Sequence, residues 1–123
     1  MDLVRDILFT TANAESSVPI ESLVTENRSM DLVAYHVEMM AEHDLIDRQI
    51  QRDMNGDVIW GEITALTWDG QDYLDAIEND DVWSKTKETI RNTVKHTTLG
   101  VIRDVAIAVT KSMIAAQTGL PLA

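Results

Sequence analysis

At Leu66-Thr67 the chain stops reading as a strand and begins to read as a helix, and the sequence on either side is organised around that junction. Leu66 closes a β-rich run. Thr67 is placed to cap a helix by accepting a hydrogen bond from an orphan backbone amide, and Tyr73, Leu74 and Ile77 then recur at helical spacing. Gly70, in the first turn, lowers helix propensity relative to alanine but removes a side chain where helix and strand must approach closely. It points to tight packing rather than to a phosphate site.

Upstream of the junction, Leu45 to Asp53 and Val58 to Leu66 are β-rich runs separated by Met54-Asn55-Gly56-Asp57. Asn-Gly is a strong hairpin signal, because both central residues of the tight turn it favours must tolerate positive φ. Ahead of the hairpin, Asn27-Arg28-Ser29 reads as a turn with Ser29 as cap, and Val33, Val37 and Met40 share one face of a helix that ends at His43. At the N-terminus Asp2 stands in capping position, and Leu3, Val4, Ile7 and Leu8 form a helical stripe running to about Ala14. Val18-Pro19-Ile20 can only be an extended edge piece, since proline has no amide to give a central ladder. Glu21 to Glu26 suits either one helical turn or a brief strand. Downstream, a helix runs from Thr67 to about Asn79, Asp80-Asp81 offers a fresh cap, and further helices cover Val82 to about His96 and Thr98 to Thr118. Gly119-Leu120-Pro121 stops the last one.

This order of elements predicts an α+β, mainly α fold: a winged helix-turn-helix domain over residues 1–80, with a C-terminal extension of two helices over 81–123. A chain of 123 residues with 45% hydrophobic content suits one domain plus an appendage. The absence of cysteine excludes a disulfide framework and thiolate metal sites, and no N-terminal run joins basic residues to an apolar core, so a cytoplasmic protein is expected. The longest apolar stretch, in the last helix, is broken by Arg103, Asp104 and Lys111 and falls short of a membrane span. No membrane partner is expected.

Leu66-Thr67-Trp68-Asp69-Gly70-Gln71-Asp72-Tyr73-Leu74-Asp75-Ala76-Ile77, followed by Asn79-Asp80-Asp81-Val82-Trp83-Ser84-Lys85-Thr86-Lys87, resembles the hallmark of a family of small bacterial and phage proteins of unknown function. Met1-Asp2-Leu3-Val4-Arg5, Val33-Ala34-Tyr35-His36-Val37 and Leu45-Ile46 resemble the same family's pattern, so the likeness spans roughly residues 1–90. Its Leu-Thr-x-x-Gly core is shared more loosely with other winged-helix regulators, including YjcQ-like proteins. The resemblance implies a winged-helix fold and carries over no activity and no catalytic residue.

Net charge is −11 and unevenly spread: residues 1–80 hold 18 acidic and 4 basic side chains, residues 81–123 hold 3 and 6. An acidic body works against nucleic-acid encounter. In winged-helix DNA readers the second helix of the motif enters the major groove, and here its expected outward set is Asp31, Ala34, Tyr35, Glu38 and Glu42, without a cation. Only Arg28, Arg48 and Arg52 offer positive charge nearby, so DNA is disfavoured as a partner and kept as the alternative. Lys87, Arg91 and Lys95 line one basic edge of a later helix, which can meet phosphate, meet a neighbouring subunit's acidic body, or face solvent. Trp83 shares a stripe with Ile90 and Val94 and is expected to pack, whereas Trp60, on the second hairpin strand, is left open between packing and stacking.

His36 and His43 are about 10 Å of helical rise apart, too far to share one ion, and read as a partly buried histidine and a helix-end residue. No metal or other cofactor is expected. The many carboxylates lie on solvated faces without a phosphate loop or an activated nucleophile, so no catalysis is expected either. In the last helix Leu99, Ile102, Ala106, Val109, Met113 and Ala116 follow a 3-4-3-4-3 spacing, with a second seam at Val101, Val105, Ala108, Ser112 and Ala115. Such a wide apolar surface predicts a homo-oligomer, most simply a dimer, with Leu99, Ile102, Val105, Val109 and Met113 at its interface. The expected function is a non-enzymatic regulatory module binding an unidentified protein partner; the alternative is a sequence-specific DNA-binding transcription regulator.

Overall fold

The computed structural model describes residues 1–93 and 97–118. Its elements run α1 (Asp2–Asn13), β1 (Val18–Pro19), a 3-10 turn (Ile20–Leu23), α2 (Met30–Glu42), β2 (Ile46–Arg52), β3 (Val58–Leu66), α3 (Trp68–Ile77), α4 (Asp80–Thr93) and α5 (Leu99–Thr118). The protein is mixed α+β and mainly helical, with one three-stranded antiparallel sheet in the order β1-β3-β2. The chain forms two compact units, Met1–Leu74 and Asp75–Ala123.

In the first unit, α1 packs on α2 and β3, and α2 packs on β2, β3 and the 3-10 turn. Leu3, Val4, Ile7 and Leu8 are buried from α1, and Val33, Ala34, Val37 and Met40 from α2. Pro19 sits on the edge strand, opposite Glu62, the kind of position where a residue without an amide is tolerated. Asp2 is already the first helical residue of α1 rather than its cap; Met1 holds the cap position without a side-chain bond. Ser29 caps α2 as its position predicts, accepting from the Leu32 amide at 3.1 Å.

The hairpin lies where Asn55-Gly56 places it, but its turn differs from the tight two-residue form. Gly56 alone takes positive φ, at 87°, and Asn55 does not. The Gly56 amide donates to Asp53 O at 3.0 Å and the Asp53 amide to Asp57 O at 2.9 Å, which makes a three-residue loop with glycine in the left-handed position. Asp53 explains the preference: its Oδ1 accepts from the amides of Asn55 and Asp57, both at 2.9 Å, so the side chain builds the turn.

The junction at Thr67 is tied to the end of α2. There the Leu45 amide donates to Met40 O at 3.0 Å and the Asp44 amide to Ala41 O at 3.0 Å, a Schellman closure with Asp44 in the left-handed position at φ 61°. The Thr67 hydroxyl donates to the Asp44 carbonyl and accepts from the Gly70 amide at 2.9 Å, while the Thr67 amide donates to Leu45 O at 3.2 Å. One side chain therefore caps α3 and joins it to the α2 terminus. A Cβ on Gly70 would collide with the Leu45 carbonyl and come within 2.8 Å of Leu66 Cδ1, which is why glycine stands there.

In the second unit α4 and α5 pack on each other. Asn79 caps α4, its Oδ1 accepting from the amides of Asp81 at 2.9 Å and Val82 at 3.0 Å. The expected Asp80-Asp81 cap is thereby corrected: both aspartates fall in the first turn, where their charge favours the helix N-terminus. Val82, Trp83, Thr86 and Ile90 are buried, with Thr86 Oγ1 donating to Val82 O at 2.6 Å so that the buried hydroxyl is satisfied. Thr98 caps α5 through a 3.2 Å bond from the Val101 amide. Val94, Lys95, His96 and the Gly119-Leu120-Pro121 stop lie outside the described residues. Among the described residues no helix is long and apolar enough to cross a membrane.

Candidate interaction surfaces

The entry to α2 is a small closed turn in which Thr25 and Arg28 exchange backbone hydrogen bonds at 3.0 and 3.1 Å. From it α2 emerges with Val33, Ala34, Val37 and Met40 turned inward. Ala34, expected on the outward face, is corrected to the core: it is 1% exposed, because the buried arc of α2 is wider than the Val33, Val37, Met40 stripe. Outward stand Asp31, Tyr35 and Glu42, as their positions predict; Glu38, expected with them, is half-buried, its carboxylate held by Arg48. Leu32, which the sequence reading passed over, stands outward too, 40% exposed beside a Tyr35 that is 64% exposed. Helical spacing carries the signal, since Leu32 and Tyr35 are three apart on the side away from Val33 and Val37.

Tyr35 is fixed in part by His36, whose ring it meets edge-on at 5.8 Å and 79°. His36 in turn donates from Nδ1 to Leu32 O at 2.9 Å, so the carbonyl defines its tautomer. His43 is the exposed C-cap of α2, its backbone amide donating to Met39 O at 3.2 Å.

The three arginines near this face are held by the protein itself. Arg28 Nη1 pairs with Asp6 Oδ2 of α1 at 2.7 Å. Arg48 Nη2 on β2 pairs with Glu38 Oε2 on α2 at 3.2 Å. Arg52 Nη1 donates to Gly56 O at 2.9 Å across the hairpin loop. Glu38 and Arg48 also border a shallow groove of about 430 Å³ with Gln51 and Trp60, the latter part-exposed on β3. The electrostatics of the face follow: an aromatic and a leucine with carboxylates around them, two of the three arginines ion-paired, and Arg52 held on the hairpin loop by a neutral carbonyl.

The basic edge belongs to the second unit. Lys87 lies over the Trp83 ring, 5.9 Å from its centroid, and Arg91 is exposed; Lys95 falls outside the described residues. Trp83 itself is 3% exposed and packs, as its spacing predicts. On α5 the expected interface is divided. Leu99 and Ile102, together with Ala106, are buried within the chain and are corrected from interface to core, since α4 already covers that side. Val105 and Val109 remain half-buried and Met113 exposed, as do Val101 and Ala108 respectively on the neighbouring seam.

These features define a small, mainly helical α+β protein. The chain belongs to the family described as "Hypothetical protein (DUF2513)", whose model matches residues 1–96. It is similar to an "Uncharacterized protein" of Haemophilus influenzae, with 28% identity over 117 residues, covering 93% of this chain and 96% of the relative. No solved structure matches it.

Proposed function

We propose that this protein is a non-enzymatic interaction module of winged helix-turn-helix build, which binds a protein partner through α2 and pairs with a second copy through α5. The element order α1, β1, 3-10 turn, α2, β2, β3, with β3 central in the sheet, supports the winged-helix reading. In it α2 is the recognition helix and the β2–β3 hairpin the wing.

The observation that carries the protein-partner reading is the exposure of Leu32 and Tyr35 between Asp31 and Glu42. An aromatic anchor with an apolar neighbour and a charged rim is the make-up of a protein-binding patch. Phosphates flanking a major groove would instead meet Asp31 and Glu42, while Arg28 and Arg48 are ion-paired with Asp6 and Glu38 and only Arg52, on the hairpin loop, keeps its charge unmatched. Transcription regulation through DNA remains the alternative, in which the hairpin would lie along the backbone.

A photo-crosslinking amino acid placed at position 35 of the full chain in cells tests the proposal. The expected result is a crosslink to one protein species that disappears when Leu32→Asp is added. Recovery of DNA fragments sharing a common sequence would refute the protein reading and establish the alternative. For α5, Val101, Val105, Val109 and Ala115, half-buried in the single chain, and exposed Ala108 and Ser112 supply the surface that a second copy would cover.

A further inference from the structure

We propose that the groove beside Trp68 is a docking site for a cationic segment of a protein partner. The site is distinct from the α2 face and does not depend on the function proposed for it. Within Thr67-Trp68-Asp69-Gly70, the fold accounts for Thr67 and Gly70 through the junction with the end of α2. It does not account for Trp68. That side chain is 89% exposed, the most exposed aromatic among the described residues, and contributes nothing to the core.

Trp68 is the first residue of α3, held in place by the capped helix start. Together with Leu66, Thr67, Gln71 and Asp47 it lines a groove of about 430 Å³. The floor is apolar and aromatic, of the kind that anchors protein contacts. The surroundings are acidic. From Asp53 to Leu74 the first unit's sequence holds five carboxylates and no lysine, arginine or histidine. Asp47 borders the groove, and exposed Asp72 is one helical turn from Trp68 on the same side of α3. Asp44, also exposed, gives its carbonyl to Thr67.

Charge complementarity selects the occupant. Nucleic acid and anionic lipid are repelled by this rim. An arginine or lysine satisfies each wall at once: its cation over the indole face, its aliphatic stem along Leu66, and its charge toward Asp47 and Asp72. An exposed apolar pocket with a like-signed rim thus fits a short segment in which basic and apolar side chains alternate.

The test uses the full chain and a fluorescein-labelled peptide of alternating arginine and leucine, read by polarisation and by amide and indole NMR signals of the labelled protein. Binding is expected to move the Trp68 indole signal and the Leu66 and Gln71 amides, and a glutamate-for-arginine peptide is expected not to bind. Trp68→Ala should weaken binding about tenfold or more with an unchanged melting temperature. Asp47→Asn with Asp72→Asn should weaken it as well, while Asp31→Asn with Glu42→Gln, equal in charge removed, should not. Equal binding by Trp68→Ala and the parent overturns the proposal, as does equal weakening by the two charge pairs, which would mean diffuse attraction. A parent dimer that becomes a monomer on Trp68→Ala would place a second copy in the groove and overturn it too.

Discussion

Gly70→Ala puts two ordinary rules in opposition, and the structure determines which prevails. On helix propensity alone the change should stabilise α3 by up to about 1 kcal/mol. Against this, the new methyl would collide with the Leu45 carbonyl and lie 2.8 Å from Leu66 Cδ1 and 2.9 Å from the Leu45 carbonyl carbon. Carbon contacts settle at about 3.5–4.0 Å, so α3 must retreat by roughly an ångström from the end of α2. Overpacking of this kind costs about 1–3 kcal/mol. The retreat also stretches the Thr67 hydroxyl bond to Asp44 O and the 3.2 Å amide bond to Leu45 O, worth about 0.5–1.5 kcal/mol each. The net expectation is a loss of about 2–3 kcal/mol, or a fall in melting temperature of roughly 8–15 °C for a chain of this size. Gly100→Ala is the internal control, because a Cβ there meets only Thr98 Oγ1, at 3.9 Å, and should raise stability slightly. Thermal and urea unfolding followed by circular dichroism measure both. If Gly70→Ala matches or exceeds the parent, or if the two glycines respond alike, the account of the junction is refuted.

The other predictions concern separate parts of the molecule. Asp44→Val, which forces a β-branched residue to φ 61°, should lower stability by about 1–2 kcal/mol, and Asp44→Asn should leave it level; urea midpoints decide. Trp83→Ala, at a buried site, should lose about 3–5 kcal/mol, and an unchanged midpoint would mean that this indole is displayed to a partner. Random duplex DNA should show no micromolar binding at physiological salt, since several phosphate-neutralising residues on one face are needed; a polarisation titration with a steep salt slope would contradict this. Light scattering at tens of micromolar should give a dimer that Val105→Glu or Val109→Glu converts to monomer, and a parent that is already monomeric would rule out pairing through α5.

Features carried by interactions within a few residues were legible in the sequence. The Ser29 and Thr67 caps, the hairpin flanking Asn55-Gly56, the proline on an edge strand and the packing role of Trp83 each rest on local hydrogen bonds or helical spacing, and each stands where the pattern puts it. Where neighbouring residues share the same capping oxygen, local reasoning had no means to choose, and Asn79 caps α4 instead of Asp80. At the hairpin the deciding group was local but outside the Asn-Gly pair: the Asp53 carboxylate builds a loop in which Gly56 takes the positive φ and Asn55 does not.

Tertiary structure decided everything that depends on which faces meet. It buried Ala34, left Leu32 outside, and moved Leu99 and Ile102 from a presumed interface into the core under α4. It also paired Arg28 with Asp6 and Arg48 with Glu38, across 22 and 10 residues of chain. Those pairings shape the charge of the α2 face, yet composition shows only that the cations exist. The physical reason is range: caps and turns are set by atoms within about four residues, whereas burial and ion pairing are set by whatever distant segment the fold brings alongside.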